Sequence, residues 1–249
     1  MWNAYGGHYY SPLQALKLDA LQVALPIENP QRHVALASLL FAASNCAASP
    51  GHTAQPFQAT ATAMPHLLTA WAKDPFEHCL KALYQICPRF SNVVGEAFVA
   101  DVFDVVAELR ETDLVFLDPP YSAVQYSRFY HVLETLARGS CSSVEGAGRY
   151  PPRSERPQSS FCLTTQAAAS LGNLLKGISE RGTTVILTFP ANKSSNGLSG
   201  GEVMRIASEY FKMEKQIIQS KFSTLGGNGN DAHRPARKAS PELVLLLKP

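Results

Sequence analysis

TDLVFLDPPYSAVQYSRFYHVLETL, residues 112–136, holds the order of elements that decides the fold. A short apolar run, Leu114 to Leu117, is followed at once by an acid, two prolines and a tyrosine: Asp118, Pro119, Pro120 and Tyr121. From Gln125 the period becomes helical, with Phe129, Val132, Leu133 and Leu136 on one stripe. Strand, rigid turn and helix in succession form the repeating unit of an α/β sheet. Such sheets take their ligands at the carboxyl ends of strands, which is where Asp118 to Tyr121 fall.

The alternation continues on both sides. TTQAAASLGNLLKGISERG reads as a helix ending at Gly182, TTVILTFP as a strand and SGGEVMRIASEYF as a helix. MEKQIIQSKFS and ELVLLLKP read as a hairpin whose loop carries Gly and Arg. Upstream, FSNVVGEAFVAD is strand-like and VFDVVAELR is a short helix. The expected sheet is mostly parallel, with the terminal hairpin as its antiparallel edge. Residues before Pro88 have another texture. Ser11 caps a helix with Pro12 at its first position, and Pro26 stops it. A second helix is expected from about Gln31 to Cys46, and a third from Pro75 to just before Pro88. GHTAQPFQATATAMP between them reads as a loop. The division is a helical region, 1–88, and an α/β region, 89–249.

The 249 residues are 45% hydrophobic, enough for a substantial core, and the net charge of +2 gives no polycationic signature. Any basic patch must be local. No apolar run reaches membrane-spanning length, and MWNAYGGHYYS lacks the layout of a signal peptide. The five cysteines are odd in number and contain no CxxC, so reduced thiols in a cytoplasmic protein are expected. The seven histidines form no HExxH, and no metal site is expected.

A carboxylate, a rigid carbonyl and an aromatic plate suit one chemistry well. An exocyclic amino nitrogen on a base is a poor nucleophile because its lone pair is delocalised into the ring. Acceptors that hold its hydrogens turn the lone pair toward an incoming carbon. Asp118 supplies one acceptor and the Pro119 carbonyl a second, fixed by the two proline rings. Tyr121 offers a face for an extruded base.

DPPY after an apolar strand resembles the catalytic motif of amino-methyltransferases that use S-adenosylmethionine, and the Asp form resembles the N6-adenine DNA methyltransferases. With NAYGGHYYSPLQALKLDAL, SPGHTAQ, DPPYSAVQYSRFYHVLETL, NGLSGGE and SKFSTLGGNG, the chain resembles bacterial DNA adenine methylases of restriction–modification type. The resemblance implies a Rossmann-like methyltransferase sheet, S-adenosylmethionine as methyl donor, double-stranded DNA as partner and no metal. It places Asp118, Pro119, Pro120 and Tyr121 in the catalytic motif, and Asp101, 17 residues earlier, against the adenine of the cofactor. Asp104 is the second choice for that role, and a helix N-cap is the bland alternative for Asp101.

One departure stands out. The family holds its cofactor with an FxGxG-type turn after the first strand, and no strand followed by such a turn precedes Asp118. The chain therefore reads as the latter part of a methyltransferase, with the first strands absent. Split coding with a complementary chain, truncation and unusual cofactor binding are the competing explanations. For DNA phosphates the candidates are Arg149, Arg153 and Arg156 in one loop and His233, Arg234, Arg237 and Lys238 in another, against a plain solvated loop. Tyr5, Tyr9 and Tyr10 either line the DNA or cofactor cleft or pack in a core. Tyr126, Tyr130 and His131 are expected behind the catalytic turn, and Phe222 opposite Tyr121. The rival functions are an RNA base amino-methyltransferase and a catalytically silent DNA-binding subunit.

Overall fold

The structure is a computed structural model that describes residues 1–223 and 237–249. Its helices are α1 (Trp2–Tyr5), α2 (Pro12–Val23), α3 (Gln31–Cys46), α4 (Met64–Trp71), α5 (Pro75–Ile86), α6 (Val102–Glu108), α7 (Ser127–Arg138), α8 (Ala167–Glu180) and α9 (Gly200–Ser208). Its strands are β1 (Leu114–Leu117), β2 (Thr184–Pro190), β3 (Lys212–Ser223) and β4 (Arg237–Lys248). They form two compact units, residues 1–94 with 127–157 and residues 95–126 with 158–249.

The first unit is helical. Ser11 opens α2 with a reciprocal capping box: its hydroxyl accepts from the Gln14 amide at 3.2 Å, and Gln14 Oε1 accepts from the Ser11 amide at 2.9 Å. The buried Gln14 side chain also donates to the Ala70 and Lys73 carbonyls, at 2.9 and 2.8 Å, tying α2 to the end of α4. Helix α4 begins inside the stretch expected to be a loop. Pro65 reads as a breaker there, but it sits in the first helical turn, where a missing N–H costs nothing.

Tyr5, Tyr9 and Tyr10 are fully buried in the core of this unit, so the cleft-lining reading is corrected. Each phenol finds an internal partner. Tyr5 pairs with the Thr135 hydroxyl at 3.0 Å, Tyr9 reaches the Thr53 and Gly148 carbonyls at 2.7 and 3.0 Å, and Tyr10 donates to the Ala43 carbonyl at 3.1 Å. Burial holds all three phenols well above their usual range. An apolar ring with one satisfied polar tip is a stable core residue.

Helix α7 belongs to the same unit and buries Phe129, Val132 and Leu136, as its period requires. His131 lies among the rings of Tyr5, Tyr9 and Tyr150, with Nε2 2.9 Å from the Gly148 carbonyl and Nδ1 3.2 Å from the Arg128 carbonyl. Burial outweighs both carbonyls and pulls the imidazole from 6.5 down to about 4. Below pH 6.5 the unfolded chain takes up a proton that the folded chain refuses. Stability is therefore expected to fall as pH drops from about 6.5 to about 4, by on the order of 3 kcal/mol in all. Urea unfolding at about pH 7.5 and about pH 5 measures this, and His131→Gln should flatten the dependence. An equally steep dependence in the variant would assign the effect to other groups.

The second unit is a mixed α/β layer with strand order β1-β2-β4-β3. β1 runs parallel to β2, with Leu114 opposite Thr184 and Leu117 opposite Leu187. β4 is antiparallel to both β2 and β3. Among the described residues only the β1–β2 pair is parallel, which corrects the expectation of a mostly parallel sheet. The hairpin supplies an inner strand as well as an edge. Leu243, Leu245 and Leu247 of β4 alternate into the core, whereas β3 carries Lys212, Glu214 and Lys215 and suits the watered edge.

Helices α6, α8 and α9 pack on one face of the sheet, with Val106, Leu171, Leu175, Ile178, Val203 and Ile206 against Val185, Leu187 and Phe189. Val115 and Leu117 join that core. Leu114 and Phe116 point the other way and are 63% and 65% exposed. β1 has β2 as its one neighbour, so its second edge carries no partner among the described residues. FSNVVGEAFVAD forms no strand, a second correction: Val94, Phe98 and Val99 lie exposed. Strand-forming side chains do not make a strand without a ladder to pair with.

Candidate active site

The apolar register of β1 against β2 fixes where β1 ends, and Asp118 is the first residue beyond it. The Thr188 hydroxyl, reaching across from β2, donates to Asp118 Oδ1 at 3.1 Å and stands 3.4 Å from the Leu117 carbonyl. One carboxylate oxygen is thereby oriented, on a residue that stays exposed. Tyr121 is 39% exposed and is held by near-perpendicular contacts with Tyr126 and Phe189, at centroid distances of 6.4 and 6.5 Å.

The turn is gripped from behind by residues 191–199, the loop after β2. Asn196 Nδ2 donates to the Pro120 and Phe161 carbonyls, each at 3.0 Å. The Asn196 backbone amide approaches the Tyr121 carbonyl at 3.4 Å, and the Ser195 hydroxyl accepts from the Ala123 amide at 3.0 Å. The carbonyls of Pro120 and Tyr121 are thus engaged. No hydrogen bond among the described residues ends on the Pro119 carbonyl.

Asp101 caps α6, its carboxylate accepting from the Phe103 amide at 2.9 Å, and it remains exposed. Asp104 lies in the first turn of the same helix. The loop arginines belong to the other unit. Arg153 is exposed in a short 3₁₀ turn, Arg153–Glu155. Arg156 is half-buried with its guanidinium 5.4 Å from the Tyr150 ring centre, and Arg128 lies 4.7 Å from the same centre. Arg149 donates to the Ala4 and Asn3 carbonyls at 2.8 and 3.3 Å, a structural use. Arg237 and Lys238 begin β4 and Phe222 stands in β3, while His233 and Arg234 lie outside the described residues. A cleft of about 360 Å³, lined by Trp2, Asp19, Gln22, Cys141 and Arg149 among others, contains none of the motif residues. Among the described residues no group of His, Cys, Asp and Glu gathers as for a metal ion, and no helix is long and apolar enough to cross a membrane.

The oriented carboxylate beside a rigid double proline and an accessible tyrosine agrees with comparison against known proteins. Residues 16–184 match the model for the D12 class N6 adenine-specific DNA methyltransferases. The chain belongs to this family. Over 147 residues it is 29% identical to a Type II methyltransferase, M.CviAII, of Paramecium bursaria Chlorella virus 1. That match covers 57% of this chain and 41% of the relative, so the chain spans less than half of the viral protein's length. No solved structure matches. The span matched to the D12 family includes Asp101 and the whole of Asp118–Tyr121, but ends before Thr188, Ser195 and Asn196. Sequence reasoning passed over those three residues. NGLSGGE, which begins at Asn196, entered only as part of the family resemblance and gave none of the three a role, because each acts across 70 or more residues of sequence.

Proposed function

We propose that this chain carries the base-handling part of a site-specific N6-adenine DNA methyltransferase that uses S-adenosylmethionine. The observation that carries the reading is an oriented Asp118 carboxylate followed directly, at the end of β1, by a Pro119 carbonyl that no hydrogen bond among the described residues engages. The two accept the hydrogens of the adenine amino group and turn its lone pair outward. Asp118 orients and polarises, and the proton leaves afterwards to solvent. Tyr121 stacks on the extruded base. When bound, S-adenosylmethionine supplies the methyl group.

The residues present fit one end of that cofactor. Asp101 is exposed and keeps a carboxylate oxygen beyond its capping bond, suited to the adenosine portion. The methionine portion finds no cradle before Asp118: Gly95 has nothing within 4 Å of where a Cβ would stand, and Gly6 and Gly7 sit in a turn after α1. We therefore propose that the glycine-rich turn comes from a complementary segment, on a second polypeptide or on a part of the protein beyond these residues, that pairs with the open edge of β1. Arg153, Arg156, Arg237 and Lys238, with Arg234, are the proposed phosphate contacts.

The test is methyl transfer from labelled S-adenosylmethionine to long unmethylated duplex DNA and to structured RNA, followed by nucleoside analysis. N6-methyladenine in DNA is expected. Label in RNA alone would favour the RNA enzyme, and no label in either would favour the silent subunit. At the same site Tyr121→Ala should lose more activity than Tyr121→Phe or Tyr121→Trp. Stacking on an aromatic face is worth about 1–3 kcal/mol per base, so the Ala variant should fall by roughly 5- to 150-fold. Equal losses for Phe and Ala would transfer the role to the phenolic hydroxyl.

A further inference from the structure

We infer that Asn196, assisted by Ser195, is the positioning residue of the catalytic turn, an inference that rests on the methyltransferase reading above. Asn196 is only 1% exposed, and every polar atom of its amide is used: Nδ2 donates to the Pro120 and Phe161 carbonyls at 3.0 Å each, and Oδ1 accepts from the Leu198 amide at 3.2 Å. A fully satisfied buried amide is rigid, and its geometry specifies where its partners stand. The loop that bears it is closed on itself. Ser194 N donates to the Leu198 carbonyl at 2.7 Å, and Gly197 turns the chain with φ +94°. Gly200 comes so near Ala191 that a Cβ would lie 2.9 Å from its backbone.

Two prolines limit φ but leave ψ of the turn open. Without a clamp, the peptide units after Pro119 could rotate and carry its carbonyl off the amino hydrogen it must meet. Asn196 fixes the next carbonyl, Pro120, while its own amide and the Ser195 hydroxyl fix the Tyr121 carbonyl and the Ala123 amide. The Pro119 carbonyl and the Tyr121 ring are oriented as a consequence. Thr188 does the equivalent for the Asp118 carboxylate. The reactive acceptors are thus aligned by residues that never touch the base.

Asn196→Asp is the discriminating change, because it keeps the shape and the Oδ1 acceptor but removes both donors. The full chain is assayed on long unmethylated duplex DNA in the presence of the cofactor-binding polypeptide. A loss of about 100-fold in kcat is expected, as for a misplaced reacting group, with KM for DNA changed less than about 3-fold. Activity should partly return on acidification, because a protonated carboxyl regains one donor. Independently of turnover, amide exchange at Ala123 in the purified chain should quicken by about tenfold or more. Ser195→Ala should quicken the same amide and lower kcat by a smaller factor, and it decides the matter if Asn196→Asp does not fold. Unchanged kcat and unchanged Ala123 exchange in a folded variant overturn the proposal. A wild-type chain that methylates no base, yet whose Ala123 amide responds to both variants, would refute the methyltransferase reading and leave the clamp standing.

Discussion

Asp118→Ala is expected to lower methyl transfer to duplex DNA by on the order of 10³-fold while leaving DNA affinity within a few fold. Removing a single preorganised hydrogen-bonding group at a reacting centre commonly costs 10²- to 10³-fold, and this carboxylate combines polarising and orienting roles. DNA affinity is set mainly by contacts to phosphates, and an anionic side chain is not expected to make one. The carboxylate also has little structural duty, since among the described residues its one bond is the one from Thr188, at an exposed position. A variant that loses activity should therefore keep its melting temperature. Steady-state kinetics, filter binding and thermal unfolding on one preparation give the three readouts. Near-normal turnover in the Ala variant would end the assignment of Asp118.

The second large effect concerns the cofactor. Purified alone, the chain is expected to show no saturation with S-adenosylmethionine below about 1 mM. A polypeptide bearing a strand and a glycine-rich turn should restore binding in the micromolar range. A micromolar site requires about 8 kcal/mol and a millimolar one about 4 kcal/mol. One or two charge-assisted hydrogen bonds to Asp101, worth about 1.5–3 kcal/mol each, do not reach the first figure. Calorimetric titration, with light scattering to report association, measures both states. Micromolar binding by a clean monomer that also turns over on DNA would show that the pocket is complete without a second polypeptide.

The local grammar of the chain was open to reading in advance. Ser11 with Pro12, and Asp74 with Pro75, announce helices in short patterns that tertiary structure has no reason to override. The apolar run that ends at Asp118 likewise announces both β1 and its functional end. Partnership was much less legible. ELVLLLKP says that a strand will form and be buried, but not that it will lie between β2 and β3. FSNVVGEAFVAD has the composition of a strand and no ladder to join. YGGHYY reads equally well as a cleft or a core, because an aromatic ring serves both, and only the Thr53, Gly148 and Ala43 carbonyls waiting for phenols decide it. The support of Asp118–Tyr121 comes from residues whose identity as threonine, serine and asparagine is ordinary for a strand and a turn.

That distant support imposes an order on synthesis. Asn196, whose amide joins the Pro120 and Phe161 carbonyls, leaves the ribosome well after both, and at roughly 5–20 residues per second it follows Pro120 by several seconds. The helical unit is meanwhile complete at residue 157, before β2 exists for β1 to pair with. During that interval a nascent chain holds every residue of the helical unit, while Leu114 to Leu117 have no β2 to pair with. A chain stalled just before residue 191 would contain every letter of DPPY and none of the Ser195 or Asn196 bonds that shape it.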